Sequence, residues 1–232
     1  MAPPARIIDM HVHYFPRKVF EAIWAFFDAN GNGLWNVRYR LDGQALLDEL
    51  CSQGVSRFTT LVYAHKPGMA SSLNDFVHAA AQNHPELIPF GTIFAGDGDP
   101  AREARRIFEQ LGHKGIKLHP FVSREQLDDE RFFSTYELMQ ALGKVLVCHP
   151  GSGPGYDALD GAARLRKVLK RFPQLKTVIA HCGAFEFGDY EALAGDFEHV
   201  YFDTAMNCVH EPTFPHNCPG HDFFLRNADR VL

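Results

Sequence analysis

The sequence predicts an α/β protein with a parallel β-sheet, and three observations lead to this prediction. Short apolar runs recur along the chain, amphipathic segments of helical period lie between them, and these segments have recognisable helix ends. Strands that alternate with single helices are joined by right-handed crossovers, which make the strands parallel. A chain of 232 residues is long enough for one domain with a sizeable core.

Seven apolar runs are expected to form strands. In chain order they are ARIIDMHVH, VSRFTTLVYAH, LIPFGTIFAG, KGIKLHP, KVLVCHP, KTVIAHCGA and HVYFDTA. An aromatic-rich insertion at residues 14–41 follows the first run, and we expect a lid, a pocket wall, an oligomer contact or an amphipathic helix packed over the barrel mouth. A second irregular insertion covers residues 206–221. We predict a single domain over residues 1–232 that contains both insertions.

The helical segments between the runs have typical ends. DGQALLDELCSQG has three leucines on one face and stops at Gly54, and SSLNDFVHAAAQNHP begins with a serine cap and ends before Pro85. DPAREARRIFEQLG begins with Asp99 and Pro100 and ends at Gly112, which gives good caps at both ends. SREQLDDERFFSTYELMQALG and DALDGAARLRKVLKRFP continue the pattern.

The composition argues against several classes of function. Hydrophobic residues make up 46% and charged residues 22% of the chain, which is ordinary for a soluble globular protein. A net charge of −5 gives no reason to expect nucleic acid or an anionic membrane as partner. No apolar run approaches the about 20 residues of a membrane span. The N-terminus lacks a signal-peptide core and the five cysteines lack framework spacing, so we expect reduced thiols and a cytoplasmic location.

Histidines recur at the C-terminal ends of the apolar runs. The first run ends with His11 and His13, which share one face of an extended strand. The second, fourth, fifth and sixth runs end with His65, His119, His149 and His181. In a parallel α/β barrel, catalytic groups come from the C-terminal ends of several strands. Two neutral imidazoles converging there are suited to zinc or a similar ion, and the alternative is two surface histidines by chance.

The cysteines and two loops give weaker signals. Cys148 and Cys182 alternate with the neighbouring histidines, so we expect them in the core and not in catalysis. The loop PGSGPGYD is glycine-rich but lacks the pattern of a phosphate-binding loop. The segment CVHEPTFPHNC is a candidate for a structural zinc site, although its spacing is irregular. The residues of this candidate site are Cys208, His210, His216 and Cys218.

Four motifs in chain order resemble the amidohydrolase superfamily. They are DMHVH in the first run, GIKLHP in the fourth, VCHPG in the fifth and IAHCG in the sixth. The chain is most similar to the amidohydrolase-related branch that contains aminocarboxymuconate-semialdehyde decarboxylase, and the resemblance covers nearly all of it. The resemblance implies a TIM-type (β/α)8 barrel with one divalent metal ion, preferably zinc, at the C-terminal mouth.

The resemblance also implies roles for four histidines. His11 and His13 match the first-strand pair of metal ligands, and His149 matches the fifth-strand ligand. His181 matches the sixth-strand histidine, which acts on the substrate or on the metal-bound water. We expect His181 to polarise a carbonyl group or to stabilise the developing oxyanion.

Four further residues have open roles. Lys117 and His119 alternate onto the face of the ligands. Lys117 could be a carboxylated bridge between two metal ions, but we prefer a cation that holds a substrate carboxylate, with His119 as a pocket residue. Asp9 either orients a ligand or is satisfied by barrel backbone. Asp203 either faces the mouth or is structural.

The family pattern includes one more ligand, an aspartate at the end of an eighth strand. NADRVL resembles the run into that strand, and the sequence stops at Leu232. We therefore expect a barrel truncated at the start of the eighth strand, in an incomplete record of a longer protein. A molecule that ended here would have exposed sheet edges.

The resemblance favours a metal-dependent hydrolase that uses a metal-activated water on an amide, lactone or ester carbonyl. The first alternative is a non-oxidative, metal-dependent decarboxylase of an unsaturated or aromatic carboxylate, because the same ligands serve both reactions. The second alternative is a degenerate barrel that binds ligands or partners without turnover. The expected partner is a small-molecule substrate, and a homodimer is an option because members of this branch often form dimers.

Overall fold

A computed structural model describes residues 7–30, 37–151, 161–209 and 217–232. Within these residues, seven strands form one parallel sheet in which every strand pairs with its neighbours in the sequence. The strands are β1 (Ile7–His13), β2 (Val55–Leu61), β3 (Leu87–Gly91), β4 (Gly115–Leu118), β5 (Val145–Cys148), β6 (Lys176–Ile179) and β7 (Val200–Phe202). The prediction of seven parallel strands from the apolar runs is confirmed.

The sheet is curled, so its first and last strands meet at their C-terminal ends. His11 in β1 has its Nδ1 atom 2.8 Å from Oδ2 of Asp203, the residue after β7. The ring centroids of His11 and His181 lie 4.6 Å apart. Beyond β7, Val231 forms an isolated parallel bridge with Phe202, on the side where the eighth strand of a barrel would pair. The described strands therefore make up most of a (β/α)8 barrel, as predicted.

Helices connect the strands and cover the outside of the sheet. Among the described residues they are α1 (Arg17–Asn30), α2 (Gly43–Ser52), α3 (Met69–Asn83), α4 (Pro100–Arg105), α5 (Pro120–Ser123), α6 (Phe133–Ala141), α7 (Gly161–Arg171), α8 (Phe187–Asp196) and α9 (His221–Arg226). Helix α4 continues directly into a π-helical turn at Arg106–Gln110. In the part of the chain that is described, no helix has the length and apolar character needed to cross a membrane.

The helix ends differ in how well the sequence predicts them. Asp99 caps α4 as expected, because its Oδ1 accepts a hydrogen bond from Arg102 N at 3.0 Å. The serine cap predicted for α3 is wrong. The helix begins at Met69, two residues before the first of the two serines, Ser71. The residue before the helix is Gly68, with φ at +76°. A glycine adopts this left-handed conformation without steric cost, so the chain can turn into the helix there.

Alternation along the strands separates the barrel interior from the layer beneath the helices. In β5, Leu146 and Cys148 belong to the large hydrophobic cluster under the helices, whereas Val147 belongs to a small interior cluster. The interior cluster consists of Leu61, Phe90, Val147 and Val178. Cys182 also lies in the outer cluster, and burial raises the pKa of both thiols to about 12. The prediction that the two cysteines are core residues is confirmed.

The aromatic-rich insertion contains α1, which packs beside the end of β2. Phe20 of α1 is buried in one cluster with Val62 and with Leu73 of α3, and Trp24 stacks on Phe20 at 5.6 Å between ring centroids. Of the four expectations for this insertion, the packed amphipathic helix is the one that the described residues support. Apolar contacts of its aromatic side chains hold the helix against the barrel.

The loop after β7 contains a disulfide between Cys208 and Cys218, which corrects the expectation of reduced thiols for these two residues, whereas Cys51, Cys148 and Cys182 are free. Cys208 N donates a hydrogen bond to Asn217 O at 3.2 Å, and the Asn217 side chain donates to two other carbonyl groups of the loop. These bonds bring the two ends of the loop together, which the sequence spacing does not reveal. Since both sulfurs are bonded to each other, the candidate structural zinc site is also wrong. Its His210 and His216 lie outside the described residues.

We predict that Gly115→Ala lowers the free energy of unfolding by about 3 kcal/mol, because overpacking a closed core forces its neighbours apart. A Cβ atom at Gly115 would lie 2.1 Å from Val145 O and 2.3 Å from the ring of Phe90. Urea unfolding followed by circular dichroism measures the change. Gly188→Ala in α8 is the matched control, since its Cβ meets nothing within 4 Å. It should be neutral or stabilising by up to about 1 kcal/mol. Equal stability of both variants would contradict this packing.

Candidate active site

Five histidines meet at the C-terminal ends of the strands, and we call this group the imidazole cluster. Its members are His11, His13, His119, His149 and His181. Neighbouring ring centroids lie between 4.3 Å, for His119 and His149, and 5.0 Å, for His11 and His13. Each member lies within two residues of the C-terminal end of a strand, and the curled sheet turns these strand ends towards a common point. All five histidines that the sequence predicted as ligand, catalytic or pocket residues lie together here.

Two rings of the cluster have their protonation pattern fixed by backbone oxygen atoms. His13 Nδ1 lies 3.0 Å from Leu61 O, and His181 Nδ1 lies 2.7 Å from Ala205 O. A carbonyl oxygen only accepts hydrogen bonds, so Nδ1 carries the proton in both rings. In the neutral ring Nε2 then has a free lone pair. This is the form in which imidazole binds a metal ion or accepts a proton.

Asp203 orients a third ring and connects three chain segments. Its Oδ2 accepts a hydrogen bond from His11 Nδ1 at 2.8 Å, and its Oδ1 accepts from His181 N at 2.9 Å and Ala205 N at 3.2 Å. Burial raises the pKa of Asp203, while His181, Lys117 and these backbone N–H groups act in the opposite direction. His11 Nε2 is buried and has no hydrogen-bond partner among the described residues. The open role of Asp203 is thus to orient His11 and to join the strand ends.

Burial keeps the imidazoles neutral. It lowers the pKa of His13 to about 4, and the positive charge of Lys117 adds to the effect. Burial also lowers the pKa of His181 to about 4, although Asp203 opposes this shift. The pKa values of His11, His119 and His149 are lowered well below the usual range for the same main reason. Neutral rings are a requirement for metal binding at neutral pH.

Lys117 is a fully buried cation beside the cluster. It lies on β4 and is 0% exposed, and its Nζ atom has no hydrogen-bond partner among the described residues. Burial lowers its pKa to about 8, so the ammonium form still predominates at pH 7. His119 Nδ1 is likewise buried without a partner in the described part of the chain. An unpaired buried cation is costly unless an anion compensates it.

The structure groups the potential metal ligands differently from the sequence. Ligand atoms of His11, His181 and Asp203 all lie within 4.8 Å of one another. This group shares only His11 with the ligand set His11, His13 and His149 expected from the sequence. Since both carboxylate oxygens of Asp203 already accept N–H hydrogen bonds, its geometry suits the orientation of His11 more than direct ligation. The imidazoles of the cluster therefore fit a metal ion as neutral nitrogen donors.

Asp9 supports the backbone of β1. Its Oδ1 accepts a hydrogen bond from His11 N at 2.9 Å, where the pairing of β1 with β2 shifts register between Asp9 and Val12. Of the two roles that the sequence left open, backbone satisfaction is the one found. The carboxylate replaces a ladder partner at the irregular point, which places His11 at the strand end.

Tyr63 is a site residue that the sequence reasoning missed. Its ring contacts those of His13 and His119, with centroid distances of 5.4 and 4.8 Å. Burial raises its pKa to about 12, so the phenol is neutral. His65, the histidine noted in the same run, is exposed and lies outside the cluster. Alternation could have identified Tyr63, because it is two residues after Leu61, which pairs with His13.

Comparison with families of known proteins matches residues 8–228 to a family described as amidohydrolase. Among curated proteins, 2-amino-3-carboxymuconate-6-semialdehyde decarboxylase from Dictyostelium discoideum is 25% identical over 153 residues. The match covers 57% of this chain and 42% of that protein. The chain therefore spans less than half the length of this curated relative.

Two solved structures are similar to nearly the whole chain. An uncharacterised TIM-barrel protein from Bordetella bronchiseptica has a TM-score of 0.72 and 19% identity, over 98% of this chain and 84% of that one. The 5-carboxyvanillate decarboxylase from Novosphingobium aromaticivorans, with bound manganese, has a TM-score of 0.68 and 16% identity, over 99% and 86% of the two chains. At these identities the likeness concerns the fold alone, and it agrees with the barrel architecture described above.

The lowered imidazole pKa values predict that acid destabilises the metal-free protein. Burial lowers the pKa values of His13 and His181 from 6.5 to about 4, so the unfolded chain binds more protons than the folded chain between pH 4 and pH 6.5. The contribution of the two neutral histidines to the free energy of unfolding should be fully present above about pH 6.5. It should be lost as the pH is lowered towards about 4. Urea unfolding in the presence of a chelator at several pH values measures this. The variant with His13→Asn and His181→Asn should show a weaker pH dependence, and a flat profile of the wild type would contradict the neutral rings.

Proposed function

The chain belongs to the amidohydrolase family, and on this premise we propose that it is a metal-dependent hydrolase that acts on an amide, lactone or ester carbonyl. The observation that carries the proposal is the fixed tautomer of the rings. Oxygen acceptors hold the Nδ1 protons of His11, His13 and His181, which leaves each Nε2 lone pair available in one buried cluster. Structural histidines on a barrel surface would not need this common arrangement.

We assign the metal ion to His11, His13 and His149, with Asp203 orienting His11. The support is the orphaned Nε2 of His11, the bonded Nδ1 of His13 and the burial that keeps His149 neutral. A divalent ion bound there would polarise a carbonyl group and lower the pKa of water towards about 7. Zinc is the ion we expect, because neutral imidazoles suit it. Manganese is the alternative, since the 5-carboxyvanillate decarboxylase of similar fold binds it.

His181 is proposed as the catalytic base. Because Nδ1 donates to Ala205 O, its Nε2 can accept a proton from the attacking water and return it to the leaving group. This tautomer modifies the role expected from the sequence. A neutral ring with its proton on Nδ1 cannot donate to an oxyanion through Nε2 until it has first accepted a proton.

Lys117 and His119 are proposed to bind an anionic group of a small-molecule substrate. The ammonium group of Lys117 is buried and unpaired among the described residues, so a substrate carboxylate would compensate its charge.

The buried ammonium group of Lys117 also favours the second candidate function, decarboxylation of an unsaturated or aromatic carboxylate. Isotope analysis of products separates the two reactions: hydrolysis incorporates oxygen from labelled water, and decarboxylation releases carbon dioxide. The cytoplasmic location and the homodimer stay predictions.

We predict that the purified protein binds about one divalent ion per chain and that the double variant His11→Ala, His13→Ala loses it, because two of three nitrogen ligands are removed. Elemental analysis of dialysed protein measures the ratio. His65→Ala is the matched control, since this histidine follows the next strand but is exposed and outside the cluster. Metal retained by the double variant, or no metal in the wild type, would refute the assignment.

We predict that His181→Gln lowers kcat by about a hundredfold to a thousandfold and leaves the metal content unchanged, since glutamine cannot accept the proton. Steady-state kinetics on a substrate found by screening esters, lactones and amides, together with elemental analysis, measures both. Loss of the metal from this variant would instead make His181 a ligand, in line with its closeness to His11 and Asp203. An unchanged kcat would remove His181 from the mechanism.

A further inference from the structure

Asn74 is a fully buried polar residue outside the imidazole cluster, and its contacts lead towards Lys117. It belongs to α3, on the outer side of the sheet. Its Nδ2 donates a hydrogen bond to Thr92 O at 2.9 Å, and its Oδ1 accepts one from Thr92 N at 2.8 Å. Thr92 is the first residue after β3. The carboxamide therefore satisfies the backbone of Thr92 in the way that a neighbouring strand would.

Thr92 is in turn hydrogen-bonded to β4. Backbone pairing of β3 with β4 is described for Phe90 with Gly115 and for Gly91 with Ile116. One step further along, Thr92 Oγ1 donates a hydrogen bond to Lys117 O at 3.0 Å, and its distance to Ile93 O is 3.5 Å. The side chain of Thr92 thus continues the connection between the two strands to the residue that carries the buried ammonium group.

Asn74 itself is held in one orientation from the outer surface. Its Nδ2 also donates to Glu103 Oε1 at 2.7 Å. Arg106 binds both oxygens of Glu103, at 3.0 and 2.8 Å, and its Nη1 donates to Asp75 at 2.6 Å. Nδ2 of Asn74 faces two oxygen acceptors and Oδ1 faces one N–H donor. A flipped carboxamide would lose all three hydrogen bonds, because its oxygen would face the acceptors and its NH2 group would face the donor. The ion pair of Glu103 and Arg106 therefore holds the carboxamide of Asn74 in the orientation in which it binds the backbone of Thr92.

We propose that Asn74 and Thr92 are positioning residues that hold Lys117 in place beside the imidazole cluster. The Nζ atom of Lys117 has no hydrogen-bond partner among the described residues, so its location depends on the backbone from which it extends. Thr92 Oγ1 bonds the carbonyl group of that same residue. The effect on turnover rests on the function proposed for Lys117, whereas the effect on its position can be measured without metal or substrate.

Chemical labelling of the Lys117 amine tests the proposal. In Thr92→Val the shape of the side chain is kept and the hydroxyl is lost, whereas Thr92→Ser keeps the hydroxyl. The folded protein is treated with the N-hydroxysuccinimide ester of acetic acid at one pH, and acetylation of Lys117 is followed by peptide mass spectrometry. We expect Thr92→Val to change the acetylation rate of Lys117 by about tenfold or more and Thr92→Ser to restore it to within about twofold.

Thr60→Val is the matched control. Thr60 is also fully buried, and on the neighbouring strand its Oγ1 donates to Ile88 O at 3.4 Å and accepts from Phe90 N at 3.3 Å. Neither of these two hydrogen bonds involves Lys117. Lys144, whose Nζ donates to His113 O, serves as the internal reference for general loosening of the fold. In Thr60→Val the labelling of Lys117 should stay within about twofold of the wild type.

Two results would overturn the proposal. One is an unchanged labelling rate of Lys117 in Thr92→Val, and the other is an equal change in Thr60→Val or at Lys144, which would indicate a merely structural role. Asn74→Ala is a second variant and should shift the Lys117 rate in the same direction, because it frees both backbone groups of Thr92. Since metal content is measured separately, failure of this inference and failure of the proposed function are distinguishable.

Discussion

The carboxylate of Asp203 connects parts of the barrel that are far apart in the sequence. It accepts hydrogen bonds from the His11 ring on β1 and from the backbone N–H groups of His181, after β6, and Ala205, after β7. Burying a carboxylate costs free energy, and three N–H donors offset that cost here. The same contacts that join the two ends of the curled sheet also orient His11, so the curl of the sheet and the organisation of the site depend on each other.

The site combines polar side chains at the strand ends with an apolar interior just below them. Val147 and Val178 lie in the interior cluster, and His149 and His181 follow them at the strand ends. The apolar layer keeps water away from one side of the rings, which lowers their pKa values. The outer helices support the strand ends through hydrogen bonds to the backbone, as the side chain of Asn74 does for Thr92. Rings that are held in one orientation and shielded on one side by apolar residues are typical of metal sites.

The sequence predicts features that depend on local pattern. Alternation along β5 separates Cys148 from the histidine that follows it, and the recurrence of histidines at strand ends identifies the five rings. It does not predict features that arise when distant segments meet. The hydrogen bond from His11 to Asp203 depends on the curl of the whole sheet. The disulfide of Cys208 likewise depends on how a loop folds back on itself.

The strand order of the sheet has a consequence for how the protein folds. Every strand pairs with its neighbour in the sequence, so each ladder of the sheet closes a single crossover, the longest of which joins Ile7 of β1 to Val55 of β2. The contact of His11 with Asp203 is different, because it joins residues 192 positions apart. A growing chain can therefore form most of its ladders during synthesis, but the two halves of the site come together only after β7 has been made. If the proposed assignment holds, the metal ion would reach its final site late in biogenesis, because Asp203, which orients the ligand His11, is made after β7.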